Sequence, residues 1–361
     1  MKPMWVNGLG LVGGFGCGKV ELLNALHEGS VPVTQVELRG SQFPLFKAST
    51  GQLENYLNKR TLRRIDHFSR MALLGAFQAL EDAGDLGLDR SHLGVVICSG
   101  FGALNTSFKF LDSVLEYGDT FASPTAFSNS VHNAAAAHIS IQLGISGPSL
   151  TVSQFDQSLV SGLLSAQMWL EEGRVDAVLL GVVDEYSSVL GYCWQRFLGC
   201  CERTEMRPLN FSETTAVAGE GAAFFLLQSR KSNSQNYGVI EEVEMGTLHK
   251  SQPHLLRTQP LHLNCDGHPA TGAVYQQQLL RTQPVGCYTS LYGVSPVSQA
   301  FDLAVGSLAL QRGKLFPSID PSGDYFSGSV IDSGQKCTTL SCLRFGMMGE
   351  YAAIHLLKEE N

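Results

Sequence analysis

Charge is scarce in this sequence: Asp, Glu, Lys and Arg make up 16% of its 361 residues, and the net formal charge is −8. So acidic and charge-poor a chain is not built to neutralise a phosphate backbone, and no nucleic-acid partner is expected. Long apolar runs are lacking too. None reaches the ~18 residues of a membrane span, so no span is expected. Residues 1–18 are short of positive charge and broken by glycines, which does not fit a secretory leader. No CxxC pair occurs. The cysteines are Cys17, Cys98, Cys193, Cys200, Cys201, Cys265, Cys287, Cys337 and Cys342, an odd number lying mostly in apolar stretches. Buried free thiols in a reducing, cytoplasmic compartment are the expectation. Zinc needs clustered ligands, and Cys200-Cys201 alone is no cluster, so neither a metal nor a cofactor is expected.

What the chain does have is apolar residues, 44% of the total, enough for a core larger than one typical domain. Two domains, or one duplicated α/β unit, are the natural expectations. Met4–Leu11 predicts a buried strand running into a glycine-rich turn. Residues 63–84 predict a helix, with Ile65, Phe68, Ala72, Ala76, Ala79 and Ala83 at helical spacing. GVVICS (94–99), VDAVLLGVV (175–183) and GAAFFLL (221–227) are continuous apolar runs of the kind buried in parallel sheets. Further helices are predicted over 157–172 and near 297–311, with strands over 238–245 and 351–357. This alternation argues a mainly parallel α/β fold. The polar stretch SRKSNSQN (229–236) marks a boundary, dividing the chain into 1–229 and 237–361. LLRTQP occurs at 255–260 and again at 279–284, which is no solenoid period.

One motif misleads. Gly8-Leu9-Gly10-Leu11-Val12-Gly13 matches the dinucleotide fingerprint, with Glu37 at about the distance of a ribose contact. The residues that follow, Gly14 to Gly18, are poor helix formers where that fingerprint needs a helix N-terminus. A tight strand-to-loop turn packed on the core is the better expectation.

Several segments together resemble the β-ketoacyl synthases. MWVNGLGLVGGFGCG is similar to the family's opening. LRRIDHFSRMALLGAFQALEDAG resembles its first long helix, and GVVICSGFG the strand and loop after it. FSNSVHNAAAAHISIQLGISGPSLTVS resembles the approach to the nucleophile. RPLN with AVAGEGAAFFLL resembles the close of the first half, and RFGMMGEYAAIHL the terminal glycine-rich loop and last strand. The motifs fall in family order over nearly the whole chain. The resemblance implies a thiolase-like five-layer α-β-α-β-α sandwich made of two pseudo-duplicated halves.

It also implies a cysteine and two histidines, and these are missing. Counted from Gly147-Pro148-Ser149, the nucleophile position falls on Asp156, in Gln154-Phe155-Asp156-Gln157-Ser158. A carboxylate would carry an acyl chain only as a labile anhydride. Asp is, however, a good N-cap for the helix that follows. The first histidine position falls on Asp266, where an anion would repel the developing enolate; His268, two residues on, leaves an imidazole within a register slip. The second falls on Val294, after Tyr292-Gly293, and the family's lysine position reads Thr289. His132 and His138 read as packed or hydrogen-bonded helix histidines.

Within the family, this loss makes the chain resemble the chain length factor of a type II polyketide synthase, most closely of the aryl-polyene type. That resemblance implies a heterodimer with a catalytic ketosynthase, a transient acyl carrier protein and a growing acyl or polyketide chain. Lys59, Arg60, Arg63 and Arg64 offer a cationic dock for an acidic carrier, or a solvated helix start. The factor's chain-stopping residues, carried over by spacing from Gly102 to Gly118, are Leu104, Ser107 and Leu111, with Phe108 beside them. Offsets of three and four put them on one helical face. Phe155, Met347 and Met348 are expected to line or plug the vestigial pocket. A decarboxylase or ketosynthase with an altered active site, using Asp156 or His268, is the alternative.

Overall fold

The continuous apolar runs become inner strands of one long mixed sheet. A computed structural model describes residues 2–199, 204–231, 237–255, 259–279, 283–320, 328–332 and 334–359. Cys200-Cys201, residues 232–236 of the boundary segment, and half of each LLRTQP string lie outside the described residues.

In chain order the main elements are β1 (Met4–Gly13), α1 (His67–Ala83), β2 (Leu93–Ser99), α2 (Leu104–Tyr117), α3 (Pro124–Ser130), α4 (Ala134–Leu143), β3 (Ser149–Ser153), α5 (Ser158–Glu171), β4 (Ala177–Asp184) and β5 (Gly221–Gln228). Then come β6 (Val239–Thr247), β7 (Leu261–Leu263), α6 (Pro269–Gln278), β8 (Pro284–Gly286), α7 (Ser298–Arg312), β9 (Ser329–Val330), β10 (Thr339–Phe345) and β11 (Glu350–Leu357). The helix expected over 63–84 starts four residues later, at His67. Residues Lys59–Leu62 form a separate turn of helix, and Asp66 stands at the N-cap of α1.

The strand order exposes an internal duplication. In the first half it is β1-β5-β4-β2-β3, paired antiparallel, antiparallel, parallel, parallel. In the second it is β6-β11-β10-β7-β8, with the same senses in the same sequence, and β9 adds a further parallel edge. The two halves meet in a short antiparallel ladder, Met4 opposite Ile240 and Trp5 opposite Val239.

Alternation along the strands then builds the layers. Val96, Cys98, Leu180, Val182 and Phe225 face a central core that they share with Leu159 and Leu163 of α5 and Phe301 and Ala304 of α7. Cys342, Ile354 and Leu356 close that core from the second half. Val95, Ile97, Leu179 and Phe224 face the other way, onto α1 and α4. Leu261, Leu263, Leu343 and Ala353 pack on Tyr275 of α6. The result is helix, sheet, helix pair, sheet, helix. α7 is buried along nearly its whole length, as a helix between two sheets must be.

The glycine motif near the start has a packing role. Gly8 and Gly10 lie inside β1, not in a turn after it. A Cβ on Gly10 would stand 1.8 Å from the carbonyl oxygen of Gly75, and one on Gly8 2.3 Å from that of Ala79. The glycines therefore let α1 lie directly on the strand. Glu37 is on a separate hairpin, Thr34–Leu38 with Ser41–Phe46. No helix among the described residues is long and apolar enough to cross a membrane.

Candidate functional site

Duplication places equivalent loops around one hollow. The turns that follow β2 and β3 meet those that follow β7 and β8, and the β10–β11 connection closes the side. The halves touch closely here: a Cβ on Gly100 would lie 2.3 Å from the ring of Pro296. Between them is a cavity of about 440 Å³. Phe101, Phe155, Trp194, Val294, Pro296 and Met347 supply its apolar wall, and Asp156, Asp266, His268, Arg344 and Glu350 its charged or titratable groups.

The turn after β3 is held tightly. Ser158 Oγ accepts from the Gln154 amide at 2.9 Å and lies 2.7 Å from the Phe155 carbonyl and 2.9 Å from that of Ser99. Phe155 has φ +46°, a left-handed conformation that a bulky side chain adopts only under constraint. Its ring packs edge-on against Phe101 at 5.6 Å.

Asp156 does not cap α5, contrary to the expectation. It sits within the 3₁₀ turn Phe155–Gln157, and Gln157 occupies the N-cap without a side-chain bond. Electrostatics explain the difference. Arg344, 7% exposed, reaches out from β10, and its Nη2 lies 2.7 Å from Asp156 Oδ1. A guanidinium so deeply buried requires a counter-ion, and Asp156 provides it. Nη1 of the same arginine lies 3.3 Å from the Ser295 carbonyl and from Ser298 Oγ. One side chain thus ties the turn of the first half to a loop and helix of the second.

Asp266 is held in place beside the start of α6. It accepts from Thr271 Oγ1 at 2.7 Å and from the His268 amide at 2.9 Å. Burial raises its carboxyl above the usual range, against the pull of the Thr271 and His268 bonds. His268 is the N-cap of α6, its Nδ1 accepting from the Ala270 amide at 3.2 Å, and it lines the cavity two residues from the expected position. Val294 lines the cavity as well; its amide donates to the Val217 carbonyl at 2.8 Å. Thr289 is buried in the turn Thr289–Leu291 and is not part of the lining.

Of the pocket residues expected from the sequence, Phe155 and Met347 line the hollow, while Met348 is 81% exposed and lies outside the lining. Leu104, Ser107, Phe108 and Leu111 stand apart on α2. The buried residue of that helix is Thr106; Leu104, Ser107 and Phe108 are half-buried and Leu111 is 51% exposed. His138 fits its expectation, Nε2 lying 3.0 Å from Asn129 Oδ1, and burial lowers its pKa. His132 does not: it precedes α4, is exposed, and packs over Gly102.

Sequence reading missed the acids beneath the site. Asp302 on α7 accepts from Tyr292 Oη and Asn264 Nδ2; burial pushes it up to about 7, with those bonds and Arg344 pulling down. Asp184, at the end of β4, accepts from Ser99 Oγ and from the amides of Gly100 and Phe101 at 2.9–3.1 Å. Burial pushes it too up to about 7. Arg344 was also missed, although an arginine inside the apolar run TLSCLRF is a legible signal, since such a charge must be paired.

In chemical terms the hollow holds no cysteine among its lining residues, and its carboxylate at the turn is engaged by a cation. A carboxylate so held is a weak nucleophile.

A family model described as the N-terminal domain of β-ketoacyl synthase matches residues 40–233. A putative polyketide β-ketoacyl synthase from Streptomyces virginiae is 31% identical over 193 residues, 50% of this chain and 46% of that protein. A 3-oxoacyl-[acyl-carrier-protein] synthase 2 from Staphylococcus aureus is 26% identical over 189 residues, again 50% of this chain and 45% of the relative. The chain therefore spans about half the length of these curated relatives. Among solved structures, a β-ketoacyl synthase from Burkholderia phymatum superposes with TM-score 0.79 at 16% identity, covering 100% of both chains. The ishigamide ketosynthase/chain length factor does so with TM-score 0.80 at 16% identity, covering 99% of this chain and 100% of that one. These two likenesses establish the thiolase-like fold, and the family match extends over more than half of the sequence: the chain belongs to the β-ketoacyl synthase family.

Proposed function

We propose that this chain is a non-catalytic chain length factor, which pairs with a cysteine-bearing ketosynthase and shapes the tunnel for a growing polyketide chain of the aryl-polyene type. The observation that carries it is the Asp156–Arg344 ion pair, 2.7 Å long, at the turn where the family's thiol would stand. Asp266 and Val294, at the two histidine positions, supply no imidazole to polarise a thioester carbonyl. The family's fold is kept while its condensation chemistry is not, and that combination suits a subunit whose partner does the chemistry.

In this reading β3, an edge strand of the sheet, meets the equivalent strand of the partner. Leu104, Ser107 and Leu111 close the far end of the shared tunnel. Lys59, Arg60, Arg63 and Arg64 serve as the transient dock for an acyl carrier protein. The two pseudo-duplicated halves are 1–229 and 237–361. The test is co-expression with a cysteine-bearing ketosynthase and native mass spectrometry. A one-to-one complex that makes product, with neither chain active alone, is the expected result. A well-behaved monomer that ignores such partners would contradict it. His268 in the cavity wall favours one second reading, a decarboxylase with a displaced imidazole. Decarboxylation of malonyl carrier protein by the chain alone, abolished by His268→Ala, would establish that reading instead.

A further inference from the structure

Away from the hollow, on the outer face of the second half, three donor side chains converge. We infer that Glu242, Glu244 and His355 form a binding site for a divalent transition-metal ion, with zinc the ion their chemistry suits best.

The strands create this grouping; the sequence gives no hint of it, since Glu244 and His355 are 111 residues apart. A regular β6 would put Ile240 and Glu242 on one face. The pairing instead shifts between them: Ile240 lies opposite Leu356, and Glu242 opposite His355. Ile240 and Leu356 remain in the central core, so the extra residue turns Glu242 to the other face, with Glu244 two residues on. Bulges re-aim side chains in this way. One ligand atom from each of Glu242, Glu244 and His355 lies within 4.8 Å of the others.

Each donor except one is already oriented. His355 has its side chain 8% exposed, Nε2 2.8 Å from Glu244 Oε1, and Nδ1 2.7 Å from the buried Ser341 Oγ on β10. A ligating imidazole usually has its second nitrogen bonded in this manner. The amide of His254 donates to both oxygens of Glu244, at 3.1 and 3.3 Å. Glu242 is the exception: among the described residues nothing hydrogen-bonds or pairs with its carboxylate. An ion pair accounts for Glu244 and His355 but not for a second half-buried carboxylate beside them, which adds like-charge repulsion that a divalent cation removes.

One imidazole and two carboxylates supply three of zinc's four tetrahedral positions, and water the fourth. With its proton on Nδ1 and donated to Ser341, His355 ligates through Nε2; binding sends any Nε2 proton to solvent. The ion would fasten β6 to β11, next to the short ladder that joins the halves.

The test is calorimetric titration of the full chain with zinc chloride, repeated on Glu242→Gln, His355→Gln and Ser341→Ala, with cobalt(II) absorption as a second readout. One ion per chain is expected, with the visible cobalt bands of a four-coordinate site. Glu242→Gln and His355→Gln should abolish that binding, and Ser341→Ala should weaken it about 10- to 100-fold. Because Glu242 holds no bond, its substitution leaves the metal-free fold unchanged, so the result stands even if His355→Gln unfolds. A parent chain that binds no zinc, or a Glu242→Gln variant that binds it equally well, would overturn the inference.

Discussion

The most informative residue is Arg344. It is nearly buried, and its direct ionic partner is Asp156, of which 39% of the side chain is exposed. The two should therefore be unequal under substitution. Arg344→Met leaves Asp156 without its cation, but that carboxylate is partly open to solvent, which screens it, so this should be the cheaper change in denaturant unfolding. Asp156→Asn leaves the buried Arg344 guanidinium without its counter-ion and is expected to cost about 3–5 kcal/mol. Removing both charges with apolar residues should recover most of the loss, because a well-packed apolar pair often replaces a buried ion pair at no cost. The same geometry governs attempts to restore chemistry. On the proposed function, Asp156→Cys returns a thiol to the turn but leaves Asp266 and Val294 at the positions of the family's imidazoles. Nucleophile and carbonyl polarisers act as a unit, so no ketoacyl product is expected from that single change in a condensation assay. Asp156 shows where sequence reading stops. Its place in the chain was legible by counting from the Gly-Pro-Ser string. Its partner was not, because Arg344 arrives from a strand of the other half, 188 positions further on.

At the scale of elements, strands and long helices were legible because burial on both faces leaves continuous apolar runs. GVVICS became β2 and GAAFFLL became β5 within a residue of the expected bounds. The start of α1 was misread, since Ile65 continues the helical spacing while the backbone breaks before Asp66. Bulges such as that in β6 leave no period to detect. α2 is the element on which the tunnel proposal turns. Its apolar residues are turned outward: Leu111 is 51% exposed, Leu115 84% and Tyr117 64%. In the chain by itself Leu111→Ala should thus change stability by about 0.5 kcal/mol or less. Ser107 is half-buried, its Oγ 2.9 Å from the Ala103 carbonyl and 3.2 Å from that of Ser130. Ser107→Phe should cost about 1–3 kcal/mol through overpacking. With heterodimer content checked, product profiling should give shorter chains for Ser107→Phe and longer ones for Leu111→Ala. An unchanged distribution in both would remove α2 from the tunnel.

The whole molecule keeps its charge economy inside as well as out. Burial lifts Asp184, Glu185 and Asp302 each to about 7, from ordinary values of 3.8, 4.5 and 3.8. A carboxyl raised in the folded state binds more protons there than in the unfolded chain. Its stabilising effect is therefore present at low pH and is lost as pH rises through 7. His67, raised by its Glu220 partner against the effect of burial, has the same sign. His262, lowered by burial to about 4, acts oppositely, but it is mostly neutral in both states above about 7.5. Between pH 6.5 and 8 the melting temperature should accordingly fall, and Asp302→Asn should flatten that slope. The duplicated architecture itself was legible only through the family resemblance. Alternating strands and helices are compatible with many α/β folds, and the matching strand order of the halves is not written in any one segment.

On the proposed function, this fold has kept its shape and given up its chemistry. The most direct measurement is intact-protein mass spectrometry of the assembled complex after incubation with an acyl-loaded carrier protein. An acyl adduct is expected on the cysteine-bearing partner and none on this chain, at Asp156 or elsewhere. A covalent acyl adduct on this chain, lost in Asp156→Asn, would contradict it.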